Sequence, residues 1–374
     1  MSSKDKVVEL LKHANIEVNG ARPWDIQVHE ERFYDRAISQ ANLGAGESYI
    51  NGWWDCQALD QMFDRILRAR LDQHIQPLWL LPHAIKGKFV NTQSKRFSKK
   101  VAEQHYDAGN DLFQVMLDKN MQYTCGYWEK AENLDKAQEA KLELICKKLL
   151  LQKGMKVLEL GGGFGGLARY MAAKYGCHVT SYNISKEQVA FGKAWCKNLS
   201  VTFMETDYRD AKKLPAGSFD RVVSVGLLEH VGYKNYKEFF EIIAHALKEG
   251  GLALVHSIGS NETVCCTDAW IDKYIFPHGH LPSIKQLGEA MEKLMVVEDW
   301  HNFGADYDKT LMAWDAQFTK GWPELKDKYD QRFYRMWRYY LLSCAGVFRA
   351  RQMQLWQLVL TKYGAVSGYR RPVL

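Results

Sequence analysis

The chain has 374 residues, of which 47% are apolar and 25% are charged, and its formal net charge at pH 7 is +6. The apolar fraction excludes a disordered protein, and so small a charge on a chain of this length is not typical of nucleic-acid-binding proteins. We therefore expect a folded protein with one large domain or two, and without a nucleic-acid partner.

The cysteines and the N-terminal residues bear on the cellular compartment. The eight cysteines form no CxxC pair and have no zinc-finger spacing, so the sequence predicts neither a disulfide framework nor a metal site. Residues 1–18 are polar and charged, unlike a signal peptide, and no apolar run approaches the roughly 18 residues that span a bilayer. We expect a cytoplasmic protein whose contact with a membrane is peripheral.

Helical patterns dominate the N-terminal part of the chain. Residues 4–14 predict a short amphipathic helix, and similar patterns with several tryptophans continue to about residue 85. We interpret residues 1–90 as a small, mainly helical domain. Its last part, IQPLWLLPHAI at 75–85, is apolar and contains prolines, which favours either an element at a membrane surface or burial between domains.

A basic run follows this apolar segment directly. Its cations are Lys86, Lys88, Lys95, Arg96, Lys99 and Lys100, with no acidic residue among them. Such a run suits an anionic bilayer, at about 1 kcal/mol per cation near the surface, and a solvated linker is the alternative. We interpret residues 91–105 as a basic linker between two domains.

From about residue 137 onward, helical patterns alternate with short β-rich runs. These runs are KVLEL, HVTSYNI, VTFME, DRVVSVG and GLALVHSIG. The alternation predicts βαβ units, and hence an α/β domain, over residues 106–374, with a parallel sheet covered on both faces. The apolar and aromatic segments Gln331–Trp337 and Gln354–Leu360 predict helices that close this domain.

The clearest chemical signal is KVLELGGGFGGLARYMA, in which a predicted strand leads into glycines and then a helix. Gly161, Gly163 and Gly166 satisfy GxGxxG, which lets the backbone approach a nucleotide closely. A dinucleotide site needs an acidic residue at the end of the next strand, and here that strand ends Ser181-Tyr182-Asn183. Glu159 lies before the glycines, where class I methyltransferases carry an acid. The sequence therefore favours a Rossmann-like, class I S-adenosylmethionine-dependent methyltransferase over a dehydrogenase.

Several longer motifs occur in a fixed order over nearly the whole chain. They are QHYDAGNDLF, MQYTCGYW, VLELGGGFGG, YNISKEQ, DRVVSVGLLEHVG, LVHSIGS, WIDKYIFPHGHLPS and DWHNFGADYDKTLMAW. Together they resemble the cyclopropane fatty acid synthases and, more distantly, the mycolic acid cyclopropane synthases. The resemblance implies transfer of a methylene group from S-adenosylmethionine to the cis double bond of an unsaturated phospholipid. It also implies a homodimer that associates peripherally with the inner face of the cell membrane, with residues 1–90 serving lipid binding and dimerisation.

The chain departs from the family's pattern in its glycine motif. That motif commonly reads GCGWGG, whereas this chain has Gly162 and Phe164 at the cysteine and tryptophan positions. Asn183 stands where the family often has threonine. Glycine can follow the same turn, phenylalanine keeps an aromatic face, and asparagine is still a short polar side chain. We expect the cofactor to bind, and the effect on its affinity is left open.

The resemblance also implies an ion site, in which a bound bicarbonate removes the proton that must leave before the ring closes. Its members in this chain are Cys125, Glu229, His256, the backbone of Ile258, and Tyr307. Thiol, imidazole, amide and phenol groups can donate to a small oxyanion, while Glu229 can accept from its hydroxyl or act as the base itself. Taken singly, Cys125 is typical of a buried apolar residue, His256 of a structural histidine and Tyr307 of a packing residue.

For S-adenosylmethionine, the resemblance implies contacts from several segments. Tyr123 and Thr124 are placed over the amino-acid end, Gly161 and Gly163 under it, Asn183 and Gln188 near the ribose, Asp207 and Tyr208 near the adenine, and Glu159 beneath the glycine loop as a residue that orients it.

Three alternatives remain open. The first is a methyltransferase that leaves a methyl branch on a lipid, or one that methylates a small amine. The second is a non-catalytic lipid- or membrane-binding protein on a degenerate scaffold, which only Gly162 and Phe164 support. The third is a nicotinamide-dependent redox enzyme, which the missing acid near Asn183 disfavours. Product mass tests the first, because cyclopropanation adds one CH2 to the acyl chain.

Overall fold

The computed structural model of the protein describes residues 1–71, 109–264 and 267–373. The predicted interfacial segment at 75–85 and the predicted linker at 91–105 lie outside the described residues. None of the helices in the described ranges combines the length and apolarity that a bilayer crossing requires.

The described secondary structure follows the chain in this order. The elements are α1 (Ser3–His13), β1 (Gln27–Val28), α2 (Arg32–Ile50), β2 (Trp54–Asp55), α3 (Leu59–Arg68), α4 (Asn110–Met116), α5 (Leu134–Lys148), β3 (Lys156–Leu160), α6 (Gly166–Tyr175), β4 (His178–Asn183), α7 (Lys186–Trp195), β5 (Val201–Glu205), β6 (Phe219–Val225), α8 (Tyr236–Ala246), β7 (Leu247–Ser260), α9 (Ala269–Tyr274), α10 (Ile284–Met291), β8 (Val296–Asn302), α11 (Ala305–Leu325), α12 (Gln331–Arg349) and β9 (Met353–Thr361). Short 3-10 turns lie at Tyr208–Lys213, Leu228–His230 and Tyr233–Asn235.

The chain divides into two compact units. The first contains Met1–Val90, Cys265–Pro277 and Tyr307–Met353, and the second contains Asn91–Val264, His278–Asp306 and Gln354–Leu374. The first unit therefore includes two segments that the sequence analysis places in the catalytic domain. The lipid-binding and dimerisation roles of residues 1–90 stay predictions.

The first unit is mainly helical, and its core joins residues that are far apart in sequence. Helices α2 and α3 both pack against α12. From α12, the Arg335 guanidinium donates to the backbone carbonyls of Tyr49 (2.6 Å) and Trp54 (2.9 Å). Near the end of the same helix, Arg349 forms an ion pair with Asp60 of α3 at 2.6 Å. The N-terminal helices thus complete their core with a helix from the C-terminal part of the chain.

The second unit contains a seven-stranded sheet in the order β5-β4-β3-β6-β7-β9-β8. Strands β3 to β7 pair in parallel, and each of them overlaps one of the predicted β-rich runs. Strand β9 pairs with β8 in the antiparallel direction, so the sheet is mixed and not wholly parallel. The carboxyl ends of parallel strands share one edge of a sheet, where α/β proteins bind ligands.

One predicted element is wrong. Residues Gln354–Leu360 form most of strand β9 and not a helix, whereas the predicted helix at Gln331–Trp337 lies within α12. All of β9 after Met353 is buried. A strand that is buried on both faces has a continuous apolar run, which periodicity alone does not distinguish from a buried helix.

Candidate active site

The glycine loop connects β3 to α6. Gly161, Gly163 and Gly165 have φ values of 82°, 53° and 88°, a left-handed conformation that glycine adopts without steric cost. A Cβ on Gly166 would lie 1.9 Å from the backbone oxygen of Asn120, so this close approach also requires glycine. At Gly163 a Cβ would meet nothing within 4 Å. The loop therefore leaves open space at Gly163 for a ligand to approach.

Glu159 lies on β3 beneath this loop and is buried. Its Oε2 accepts a 2.6 Å hydrogen bond from the Ser181 hydroxyl on the neighbouring strand β4. Burial raises the pKa of Glu159 to about 7. A Cβ on Gly162 would lie 1.9 Å from Ser181 Oγ and 2.7 Å from Glu159 Oε2. A side chain at position 162 would therefore occupy the space that the Ser181 hydroxyl fills beside the Glu159 carboxyl group.

We expect Glu159→Gln to change how stability depends on pH. Because the folded pKa lies above the ordinary value of about 4.3, the folded protein binds more protons than the unfolded chain between these pH values. The contribution of Glu159 to the free energy of unfolding of the wild-type protein therefore falls as pH rises from about 4.5 to 7. The amide in the variant does not ionise, so its contribution does not change with pH. The variant should gain up to about 3 kcal/mol relative to wild type across this window.

Urea unfolding of both proteins at pH 5 and pH 8 measures this difference. Glu205→Gln, which changes an exposed carboxyl at the end of β5, is the matched control. An equal difference between Glu159→Gln and wild type at both pH values would contradict the raised pKa.

Asn183 and Gln188 lie where β4 leads into α7. The Asn183 amide nitrogen donates to the backbone oxygen of Gly163 and to Gln188 Oε1, both at 2.9 Å. The Asn183 oxygen accepts from the Ser185 backbone at 3.0 Å. Asn183 therefore fixes the glycine loop relative to the start of α7.

Asp207 and Tyr208 follow β5. The Asp207 carboxylate pairs with the Arg209 guanidinium at 3.0 Å, and this guanidinium lies 4.6 Å from the centre of the Tyr208 ring. The Tyr208 hydroxyl is buried, and no described residue hydrogen-bonds to it. The Arg209 guanidinium lies over one face of the Tyr208 ring. An adenine that stacked on this face would have to share it with the guanidinium.

Tyr123 and Thr124 belong to a segment that approaches the end of β6. The Tyr123 ring makes an edge contact with Phe113, with 5.1 Å between the ring centres. A Cβ on Gly226, the residue after β6, would lie 2.9 Å from Thr124 Cγ2. From α5, Lys141 Nζ donates to Thr124 Oγ1 at 2.8 Å. The sequence analysis missed this lysine.

Glu229 lies in the 3-10 turn after β6 and is buried. Its Oε1 accepts a 2.7 Å hydrogen bond from the backbone N–H of Ile258. Ile258 lies on the part of β7 that extends past the end of β6. Its Oε2 is buried without a hydrogen-bond partner among the described residues. Desolvation raises the pKa of Glu229 to about 7, and the Ile258 amide and the Ser257 side chain oppose part of that rise.

His256 lies on β7, opposite Val225 of β6, and is fully buried. The side-chain nitrogen of Gln357, on β9, is 3.2 Å from His256 Nδ1. In this orientation of the Gln357 amide, its nitrogen donates and Nδ1 accepts, which corresponds to the tautomer with the ring proton on Nε2. Burial lowers the pKa of His256 well below its ordinary value, so the ring is neutral. Within the described ranges, His256 Nε2 has no hydrogen-bond partner.

Glu229 and His256 therefore present two unsatisfied polar atoms, one in the turn after β6 and one on the neighbouring strand β7. Strand β6 ends beside His256, whose backbone oxygen accepts from Gly226 N–H at 2.9 Å. Leaving a buried polar atom without a partner costs about 1–3 kcal/mol, and such atoms are uncommon in folded proteins. A carboxyl oxygen that can accept and an imidazole N–H that can donate suit a small oxyanion that carries one hydroxyl group.

The remaining predicted members of the ion site fall in different units. Cys125 is fully buried in the second unit, and its Sγ lies 3.2 Å from the backbone oxygen of Gly126. Tyr307 belongs to the first unit, where its ring stacks on Phe348 with 4.4 Å between the centres. The place of Tyr307 in the ion site thus stays a prediction. Among the described residues, no group of three or more His, Cys, Asp or Glu side chains could hold a metal ion.

Comparison with known sequences gives a consistent set of relatives. Residues 93–358 match the family model described as mycolic acid cyclopropane synthetase. The chain is 48% identical over 369 residues to the cyclopropane-fatty-acyl-phospholipid synthase of Escherichia coli (strain K12), a match that covers 97% of this chain and 94% of the relative. It is 34% identical over 283 residues to a probable fatty acid methyltransferase of Pseudomonas putida, covering 72% and 71% of the two chains.

Solved structures of cyclopropane synthases also resemble this chain. A cyclopropane synthase from Mycobacterium tuberculosis superposes with a TM-score of 0.65 at 26% identity, covering 71% of this chain and 98% of the other. A mycolic acid cyclopropane synthase complexed with SAH and CTAB has the same TM-score and coverage at 28% identity.

Proposed function

The chain belongs to the mycolic acid cyclopropane synthetase family, and on that premise we propose that it forms cyclopropane rings in unsaturated phospholipid acyl chains. Membership makes it an S-adenosylmethionine-dependent enzyme with the class I methyltransferase fold, as the sequence analysis predicts. In the proposed reaction, a methylene group passes from S-adenosylmethionine to the cis double bond of the lipid.

The observation that carries this proposal is the pair of unsatisfied atoms, Glu229 Oε2 and His256 Nε2. When bound, S-adenosylmethionine supplies the methyl group that becomes the ring methylene, and bicarbonate accepts the proton that this methyl loses. We infer that Glu229 accepts a hydrogen bond from the hydroxyl of that anion and that His256 donates to one of its other oxygens. A neutral imidazole with its proton on Nε2 suits this donor role.

The surrounding residues prepare these two groups. The Ile258 N–H holds one carboxyl oxygen of Glu229, so the other is fixed in direction. Gln357 holds His256 Nδ1 and so sets the position of the ring proton. Both side chains are buried, which keeps water from a cationic intermediate on the lipid. The alkene is a weak nucleophile, so alignment of the reactants is expected to supply about 7–11 kcal/mol of the barrier.

Mass spectrometry of acyl chains tests the reaction. Purified protein is incubated with S-adenosylmethionine, bicarbonate and vesicles of monounsaturated phospholipid. An acyl chain that is heavier by one CH2 and resists hydrogenation establishes the ring. A methyl-branched product would replace the ring assignment with the alternative that the Pseudomonas putida relative favours, a fatty acid methyltransferase.

We also propose that the protein is a homodimer that binds the inner face of the cell membrane through its basic run. The support comes from the sequence, where Lys86–Lys100 contains no acidic residue. Replacing Lys95, Arg96, Lys99 and Lys100 with glutamine should weaken binding to anionic vesicles about 10²-fold or more, at about 1 kcal/mol per cation.

Cosedimentation with anionic and zwitterionic vesicles measures this loss. The matched control replaces four exposed lysines elsewhere, Lys153, Lys186, Lys193 and Lys197, and should bind as wild type does. Equal weakening in both quadruple variants would show that net charge matters and not the basic run. Light scattering of the protein in solution tests the homodimer.

A further inference from the structure

Lys141 is a fully buried lysine on α5. Its ammonium group donates to Gln122 Oε1 at 2.6 Å and to Thr124 Oγ1 at 2.8 Å. One helical turn earlier, the Gln138 side chain donates to the backbone oxygen of Thr124 at 2.7 Å. Two side chains of one helix therefore hold the segment that leads directly into Cys125.

Among the described residues the Lys141 ammonium group forms no ion pair, and the carboxylates of Asp118 and Glu159 oppose the effect of burial on its charge without pairing with it. Both hydrogen-bond partners of its ammonium group are neutral oxygens. Lys148, the other buried lysine of α5, instead pairs with the Asp299 carboxylate at 3.2 Å. Burial lowers the pKa of Lys141 to about 8, which leaves it protonated at pH 7. A buried charge that forms no ion pair is costly, so its retention calls for an explanation.

The predicted ion site provides an explanation for the buried charge of Lys141. Its groups in the second unit are a thiol, a carboxyl group, a neutral imidazole and a backbone amide, none of which carries a positive charge. The charge of Lys141 nevertheless acts on both Cys125 and His256, where it adds to the effect of burial on the histidine. A monoanion bound beside these groups would have a buried cation close by.

We propose that Lys141 is the positioning residue of the ion site, which fixes the backbone carrying Cys125 through Thr124 and compensates the charge of the bound monoanion. This inference rests on the proposed function, because bicarbonate is the anion in question. Lys141 acts through the Gln122–Thr124 segment and through its electric field.

The test measures ring formation against bicarbonate concentration in buffer freed of carbon dioxide. Lys141→Met should raise the bicarbonate concentration for half-maximal rate about tenfold or more, and this shift should exceed any loss of S-adenosylmethionine affinity, measured by calorimetry, because Thr124 is also expected at the cofactor. Lys141→Gln keeps a hydrogen bond but not the charge and should show the same shift, and it carries the test if the methionine variant does not fold. Lys147→Met, on the same helix, is the control and should match wild type.

The outcomes separate this inference from the proposed function. If wild-type ring formation does not depend on bicarbonate, the bicarbonate step fails and this inference fails with it. If the dependence is clear in wild type but unchanged in both Lys141 variants, only the role of Lys141 is overturned. Loss of S-adenosylmethionine affinity without a shift in bicarbonate dependence would likewise overturn it, because Lys141 would then serve the cofactor.

Discussion

Glu229→Gln is expected to lower ring formation by about 10²- to 10⁴-fold while S-adenosylmethionine still binds. The amide keeps an oxygen that can accept from the Ile258 N–H, so the local fold should persist. It replaces the unsatisfied Oε2 with an NH2 group, which donates and cannot accept from a hydroxyl. The magnitude is that of a lost general acid–base group.

Product formation and calorimetric binding of S-adenosylmethionine, measured on the same preparations, give the two readouts. Glu241→Gln, on helix α8 between β6 and β7, is the matched control and should retain wild-type rates. Wild-type activity in Glu229→Gln would remove this carboxyl from the mechanism. Loss of cofactor binding would instead assign it to the cofactor site.

Gly162→Cys is expected to weaken S-adenosylmethionine binding about 10- to 100-fold, although cysteine is the residue that the family's glycine motif commonly carries. In this chain the new Cβ would lie 1.9 Å from Ser181 Oγ and 2.7 Å from Glu159 Oε2. Overpacking of this kind costs about 1–3 kcal/mol, and a displaced glycine loop would align the cofactor poorly.

Ser181→Gly in the same chain should restore most of the affinity, because it removes the hydroxyl that occupies the space. A double-mutant cycle with calorimetric binding and urea unfolding measures the coupling between the two positions. Gly288→Cys, at an exposed position of α10 where a Cβ meets nothing within 4 Å, controls for cysteine itself. Simple additivity of the two substitutions would contradict the competition for space.

The sequence predicts the parallel part of the sheet well. The run KVLEL matches strand β3 residue for residue, since a short β-rich run bounded by a glycine turn and helical patterns has few other interpretations. The segment Gln354–Leu360, wrongly predicted as a helix, had no such punctuation, and its mainly apolar residues, interrupted by Gln357, fit either structure. The segments that join residues 1–90 in the first unit were also missed, because periodicity predicts an element and not its partner.

In the candidate site, too, the sequence does not predict contacts between residues that are distant along the chain. Cys125, Glu229 and His256 came from family motifs, whereas Ser181, Lys141 and Gln357 were missed because each acts on a residue distant in sequence. Lys141 did leave a signal. Helical spacing groups Gln138 and Lys141 with apolar residues on one face of α5, and the buried members of that face include Leu134, Ala137, Gln138, Lys141, Leu142, Ile145 and Lys148. Polar residues on such a face call for buried partners.

The discontinuous first unit has a consequence for how the protein is made. The hydrogen bond from Arg335 to Trp54 joins residues 281 positions apart. At about 5–20 residues per second, the ribosome needs roughly 15 to 60 s to supply α12 after α2 and α3 have emerged. During that interval the apolar faces of the N-terminal helices lack their final cover, and exposed apolar surface of this kind favours aggregation of the nascent chain.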